Sequence, residues 1–235
     1  AAAKYEVSLI TPTYNEKENI ALLADEIFAA ISGDADIDLE LIIVDDNSPD
    51  GTGAEAEKLK DQYPVQVIHR SGKLGLGSAV MEGFSLSKRQ FLGVIDADLS
   101  HDPMELPKLI RALGEHDISI GSRFGETSEV EEWAWHRRMI SVVGVAMARW
   151  ITGVEDPLSG YFFVKRSVIS ALVLTSSGYK ILLEILTKGT YRSHLSIPIF
   201  FRNRQFSASK LNWKEHALFL KQVLYFSASK LFLRK

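Results

Sequence analysis

The sequence predicts an α/β fold, a mostly parallel, doubly wound sheet with helices on both faces, and two observations point to it. Short apolar runs of strand length alternate with segments whose apolar residues recur at helical spacing. Three of those runs end in polar, acid-bearing loops: Tyr14, Asn15 and Glu16; Asp45 and Asp46; Asp96 and Asp98. Strands joined through helices imply right-handed crossovers. The carboxyl ends of strands in such open sheets are where ligands bind. The three loops are therefore expected at one edge, and that edge is the expected site.

Val7 to Thr11 reads as the first strand, stopped by Pro12. Asn15 is the expected N-cap of the helix that follows, with Glu16 and Glu18 in its first turn and Ile20, Leu23, Ile27 and Ile31 at helical spacing. Leu39 to Val44 is the second strand and runs into Asp45-Asp-Asn-Ser-Pro-Asp-Gly51. A helix through Ala54 and Leu59 returns the chain to a strand at Val65 to Ile68, and a helix from about Gly77 to Lys88 leads to the strand Phe91 to Ile95. Asp117 to Ile120 is a further short strand, followed by Gly121-Ser-Arg123.

Beyond it the pattern changes. Glu126 to Glu132 is acidic and loop-like, and Met139 to Ile151 reads as an apolar helix. Asp156 to Val164 reads as loop into strand, Tyr179 to Lys188 as helix, and Ile197 to Phe201 as strand. No linker interrupts residues 1–210, which are expected to form one catalytic domain, with residues 211–235 as amphipathic helices. Phe-Ser-Ala-Ser-Lys-Leu occurs at 206–211 and again at 226–231, too short to mark a structural repeat.

The 235 residues are 46% hydrophobic and 24% charged, enough for a real core. Without cysteine there is neither a disulfide framework nor a thiolate metal site. The N-terminal residues have no signal-peptide core, and no run approaches the ~18 apolar residues of a membrane-spanning helix. The net charge of −3 conceals an asymmetry. Residues 186–235 hold ten Lys and Arg against Glu215 alone, giving +9 and leaving −12 for the rest. The last fifth is suited to an anionic partner, a phosphate or a membrane surface. Nothing points to nucleic acid.

Asp96 and Asp98, two apart just past a strand, can bring both carboxylates to one divalent ion. Hard oxygen donors favour Mg2+ or Mn2+ over zinc. The bland alternative has one Asp capping the next helix and the other solvated, and Asp98 is expected at the surface, where its loss leaves the fold intact. Arg70-Ser-Gly-Lys-Leu-Gly-Leu-Gly77 fits neither a dinucleotide fingerprint nor a P-loop. It reads equally as a turn feeding a helix, from which Lys73 can approach a diphosphate. Asp96-Ala-Asp-Leu-Ser100 also resembles the opening of a haloacid-dehalogenase-type phosphatase, but here it ends the fourth strand and the later acids are scattered. His101 is as suited to capping or packing as to chemistry.

Together these motifs resemble one family. Thr11-Pro-Thr-Tyr-Asn-Glu16, Val44-Asp-Asp-Asn-Ser-Pro-Asp-Gly-Thr52, the His69 to Gly77 segment, Asp96-Ala-Asp-Leu-Ser-His101, Gly121-Ser-Arg123, Trp133-x-x-x-Arg137 and Ser209-Lys210 occur in the order found in dolichol-phosphate mannose synthases. These are inverting glycosyltransferases of GT-A type, with a Rossmann-like sheet. The resemblance covers about residues 5 to 212. It implies mannosyl transfer from GDP-mannose to dolichyl or polyprenyl phosphate, assisted by Mg2+ or Mn2+. It also implies a donor-nucleotide set of Pro12, Tyr14, Asn15, Glu16, Val44, Asp46, Lys73 and Asp96. Asp96, Asp98 and Ser100 are implied as the metal site, Ser100 standing where some relatives have Gln. Arg123, Arg137, Ser141, Arg204 and Lys210 are implied as the acceptor-phosphate site, with Asp96, Asp98, Arg123 and Arg204 carrying catalysis. Ser207-Ala-Ser-Lys210 replaces the family's Gly-Glu-Ser-Lys. Two other functions fit the residues: glucosyl transfer from UDP-glucose to the same lipid, and non-catalytic binding of a nucleotide sugar or membrane surface.

The tail interleaves Leu220, Val223, Leu224 and Leu231 with Lys214, Lys221, Lys230, Arg234 and Lys235. Such a segment can lie in a membrane interface, or cover the sheet as core. The expected location is the cytoplasmic face of a membrane, peripheral or anchored by a further domain or subunit.

Overall fold

The structure is a computed structural model. It describes residues 4–124, 145–174 and 180–202, and the backbone of 129–130. In chain order it places β1 (Tyr5–Thr13), α1 (Lys17–Ala30), β2 (Ile37–Asp45), α2 (Thr52–Lys58), β3 (Val65–His69), α3 (Leu76–Leu86), β4 (Phe91–Val94), α4 (Leu106–Ala112) and β5 (Ile118–Ser122). Then follow β6 (Glu129–Val130), a helix α5 over 145–152, β7 (Phe162–Lys165), α6 (Arg166–Ile169), α7 (Ile181–Lys188), β8 (His194–Pro198) and β9 (Phe200–Phe201).

Seven strands form one sheet in the order β3-β2-β1-β4-β7-β5-β8, and β6 pairs separately with β9. In the seven-stranded sheet every pairing is parallel except those of β7, which runs antiparallel between β4 and β5. The order reverses between β1 and β4: α1 and α2 cover one face, and α3, which leads from β3 to β4, covers the other. Side chains alternate across the sheet with period two. Val7, Leu9, Leu41 and Ile43 face the core under α1, α2 and α4, packed on Ile20, Leu23, Ala56 and Leu109. Ile10, Ile42, Val44 and Val94 face the core under α3 and α7, packed on Val80, Phe84 and Ile185.

Several local expectations are corrected. Pro12 does not stop β1: it pairs in register with Val44, and the strand continues to Thr13. Near the strand's end the missing N–H costs little. Asn15 is not the cap of α1. It takes a left-handed backbone with φ 55°, and Glu16 holds the cap position without a side-chain cap of its own. Asn tolerates that region better than most residues. The caps come instead from the loop after β2: Ser48 Oγ, Thr52 Oγ1 and Asp50 Oδ2 accept from the backbone N–H groups of Asn15, Glu16 and Lys17 at 3.0, 2.9 and 3.2 Å. No element is expected between His101 and Asp117, yet α4 lies there, with Leu106, Leu109 and Ile110 buried. The expected strand 197–201 divides at Ile199 into β8 and β9.

Candidate active site

Strands β1, β2, β3, β4, β5 and β8 all end at one edge of the sheet, and antiparallel β7 begins there. Seven loops therefore converge, and the three acid-bearing loops singled out from the sequence are among them. The turn carrying the two aspartates hangs between β1 and β4. Ile95 N–H donates to Ile10 O at 3.1 Å, and Thr11 Oγ1 donates to Ile95 O at 2.7 Å. Leu99 is buried with φ 60°, an uncommon backbone for a branched residue, which turns the chain back after Asp98.

Asp96 is part-exposed, its side chain 31% accessible. Asp98 is buried, 6% exposed, which corrects the surface position expected for it. Ser100 donates to Asp98 Oδ1 from its backbone N–H at 3.1 Å and from Oγ at 2.5 Å. Ser100 thus orients Asp98, and its hydroxyl lone pairs are not used by that bond. Gly160 lies against Asp96: a Cβ there would sit 2.4 Å from Asp96 Oδ2. Only a residue without a side chain leaves that carboxylate its place.

His101 is 2% exposed, its ring 5.2 Å from those of Tyr161 and Phe201. Its Nδ1 is buried, without a hydrogen-bond partner among the described residues, 3.9 Å from Asp96 Oδ2. Burial pushes its imidazolium down to about 4, against the opposing charge of Asp98. The packing reading of His101 is therefore the one seen, with a neutral ring backing the carboxylates.

Arg123 leaves β5 at the same edge. Nε donates to Asp156 Oδ2 at 2.8 Å and Nη2 to Oδ1 at 2.9 Å, while the backbone N–H of Arg123 donates to Oδ2 at 3.2 Å. Burial alone would raise the Asp156 carboxyl, but the guanidinium beside it holds it below the ordinary value. Arg123 is raised in turn: burial opposes its charge, and Asp156 overcomes that. Phe201 lies 5.6 Å from the guanidinium. Asp156 has no assigned role in the sequence reading. The signal for it was the Asp-Pro-Leu-Ser-Gly run, which also places Gly160.

On the other side lie Tyr14, Glu16 and Asp46. Glu16 is largely buried and accepts from Asn19 Nδ2 at 2.7 Å. Asp46 N–H donates to Thr13 O at 2.9 Å, so its carboxylate stands beside the Tyr14 loop. Lys73 Nζ lies 4.0 Å from the centre of the Tyr14 ring. Asp45, by contrast, is a loop builder, accepting from Thr13 Oγ1 at 3.1 Å and from Ser48 Oγ at 2.5 Å. Pro12 and Val44 pair beneath these loops. Arg137, Ser141, Arg204 and Lys210 lie outside the described residues, as does the tail 211–235.

Two carboxylates and a hydroxyl in a tight turn suit a hard divalent cation. Among the described residues no cluster of three or more His, Asp, Glu or Cys converges to hold a metal. Such a cation would then take its other ligands from a bound diphosphate and water, as magnesium sites commonly do.

A model of glycosyl transferase family 2 matches residues 8–173. The chain is 40% identical over 223 residues to a dolichol-phosphate mannosyltransferase of Pyrococcus furiosus, covering 93% of this chain but 62% of that protein. It is 37% identical over 228 residues to the Saccharomyces cerevisiae protein of the same name, covering 93% of this chain and 85% of the relative. Polyprenol monophosphomannose synthase of Mycolicibacterium smegmatis is 35% identical over 217 residues, with 87% and 80% covered. Among solved structures, glucosyl-3-phosphoglycerate synthase from Mycobacterium tuberculosis, crystallised with Mn2+, UDP-glucose and phosphoglyceric acid, superposes with a TM-score of 0.69. That match covers 96% of this chain and 79% of the other at 19% identity, a likeness of fold.

Proposed function

For a chain that belongs to glycosyl transferase family 2, we propose transfer of mannose from GDP-mannose to a polyprenyl phosphate, with inversion at the anomeric carbon. The supporting observation is the gathering of Tyr14, Glu16 and Asp46, then Asp96 and Asp98, then Arg123 along one sheet edge. In that order they offer a place for a base, a diphosphate and an anionic acceptor. The relatives that carry the mannosyl-lipid names span nearly the whole of this chain.

In the proposed reaction an acceptor phosphate oxygen attacks the anomeric carbon from the side opposite the leaving group. The new C–O bond forms as the bond to the β-phosphate of GDP breaks, and its electrons leave with GDP. A phosphate monoester has a second pKa of about 6, so the nucleophile is anionic near neutral pH and no general base is needed. This fits a site whose buried histidine is neutral and packed between rings. A bound Mg2+ or Mn2+ would neutralise charge on the departing diphosphate. The chain's own work is then positioning. Asp96 and Asp98 would hold the cation, with Ser100 orienting Asp98. Glu16 and Asp46 accept from guanine N–H groups beside Tyr14. Arg123, Arg137, Ser141, Arg204 and Lys210 receive the acceptor phosphate, for which guanidinium forks are suited. A lipid acceptor calls for work at a membrane surface, for which we propose the cytoplasmic face, with the basic tail as the contact.

Thermal stabilisation by GDP, UDP and their mannose and glucose conjugates, with magnesium present, tests the donor. The largest shift is expected with GDP-mannose. A preference for UDP-glucose would replace the mannosyl reading with a glucosyl one.

A further inference from the structure

Arg70 is a charged residue buried at the nucleotide side of the site, with no assigned role. Its side chain is 5% exposed and that of Asp46 7%. Nη1 donates to Asp46 Oδ1 at 2.5 Å and to Gly75 O at 3.3 Å, Nη2 donates to Ser78 Oγ at 2.8 Å, and Nε donates to Glu82 Oε2 at 2.9 Å. Asp46 Oδ2 accepts the backbone N–H of Gly75 at 2.8 Å. Gly75 has φ 100°, a backbone suited to glycine, and Leu76 begins α3 directly after it. Both oxygens of Asp46 are therefore committed, one to Arg70 and one to the loop that carries Lys73 onto Tyr14.

We propose that Arg70 is a positioning residue for nucleobase recognition: it fixes the Asp46 carboxylate and the 70–75 loop in one arrangement around the base. This rests on the reading of Asp46 and Tyr14 as base contacts. Each carboxylate oxygen has two lone pairs, so Asp46 can still accept from a base N–H while Arg70 and Gly75 hold it. The hold fixes which way the remaining lone pairs point. A planar fork with five donors serves Asp46, Gly75, Ser78 and Glu82 together, which an ammonium cannot. The pair is shielded from solvent, so removing the cation leaves a buried, unpaired carboxylate free to turn toward other donors.

The experiment is calorimetric titration of the full chain, and of Arg70→Met and Arg70→Lys, with GDP, IDP, UDP and pyrophosphate, each with Mg2+. IDP lacks the exocyclic amine of guanine, and pyrophosphate lacks the base altogether. Arg70→Met is expected to weaken GDP at least tenfold and to narrow the GDP-over-IDP preference, with pyrophosphate affinity unchanged. Arg70→Lys should recover part of the loss and serves as the reading if the Met variant does not fold. Unchanged GDP affinity and base preference in the variants would overturn the proposal, and so would a parallel loss of pyrophosphate binding. Tighter binding of UDP than GDP by the unaltered protein would sink the GDP-mannose reading alone. Arg70 would then be judged by loss of UDP against pyrophosphate.

Discussion

Asp156 grips Arg123 through two parallel hydrogen bonds of 2.8 and 2.9 Å, and Asp156 is fully shielded from solvent. The carboxylate fixes the direction of a guanidinium proposed to receive a phosphate. Asp156→Asn keeps the shape but loses the charge and one acceptor. It is expected to cost roughly 3–5 kcal/mol of stability, because the buried guanidinium loses its counter-charge. The KM for lipid phosphate should rise about tenfold or more, on the scale of one charge-assisted hydrogen bond, while GDP affinity stays near that of the unaltered protein. Steady-state kinetics with each substrate varied, beside GDP calorimetry, is the check. Equal losses on the donor and acceptor sides would place this pair in the donor site instead.

The same pair carries a pH signature. Arg123 holds the folded-state pKa of Asp156 below its unfolded value of about 3.9. The contribution is therefore fully present above that value and is lost as pH falls through the lower, folded one. Melting temperatures of the unaltered protein and Asp156→Asn, taken from pH 6 to pH 2.5, should converge only below about pH 4. A gap that stays constant to the acid end would contradict the assignment.

Asp98→Ala should abolish turnover, and because Asp98 is buried on Ser100 it should also cost about 1 kcal/mol of stability. Chelation should silence the unaltered enzyme in the same way. Full activity of Asp98→Ala in chelator would refute a metal-assisted mechanism.

Gly160→Ala tests the same centre from the opposite side. Its methyl group would lie within 2.4 Å of Asp96 Oδ2, so the carboxylate must move. Mn2+ affinity, followed by electron paramagnetic resonance, should fall at least tenfold with the fold retained. Unaltered Mn2+ binding would show that Asp96 needs no such clearance.

The tail prediction concerns residues 211–235. The full chain should float with anionic liposomes at low salt, and a version ending at Asn212 should not. Equal flotation by a folded truncated protein would remove the tail as anchor.

Much of the β3-β2-β1-β4 half was legible because its strands alternate with amphipathic helices, and because each strand end carries its polar residues in sequence. Asp96 and Asp98 could be placed at a sheet edge from Phe91 to Ile95 alone. The partnerships were not legible. Asp50 caps a helix 33 residues away in sequence, and Arg70 reaches Asp46 across 24. Spacing carries no trace of either. The burial of Asp98 was missed because polar residues at a strand end ordinarily face water, and here Leu99 turns inward beside it. Helix α4 was missed although Leu106, Leu109, Ile110 and Leu113 have helical spacing, because Pro103 and Pro107 punctuate its start. Pro107 stands within the helix's first two positions, where a missing N–H is harmless.

The antiparallel strand β7 has a consequence for how the chain is made. β4 and β5 do not pair with each other; each pairs with β7, which is synthesised after both. Until residues 162–165 leave the ribosome, β4 presents an open hydrogen-bonding edge lined by apolar side chains. Such an edge invites pairing with other chains. The nascent protein thus passes through a stage in which the β3-β2-β1-β4 half can be complete while its neighbour is absent. A late strand then zips the two halves together, making aggregation during synthesis sensitive to any change that delays β7.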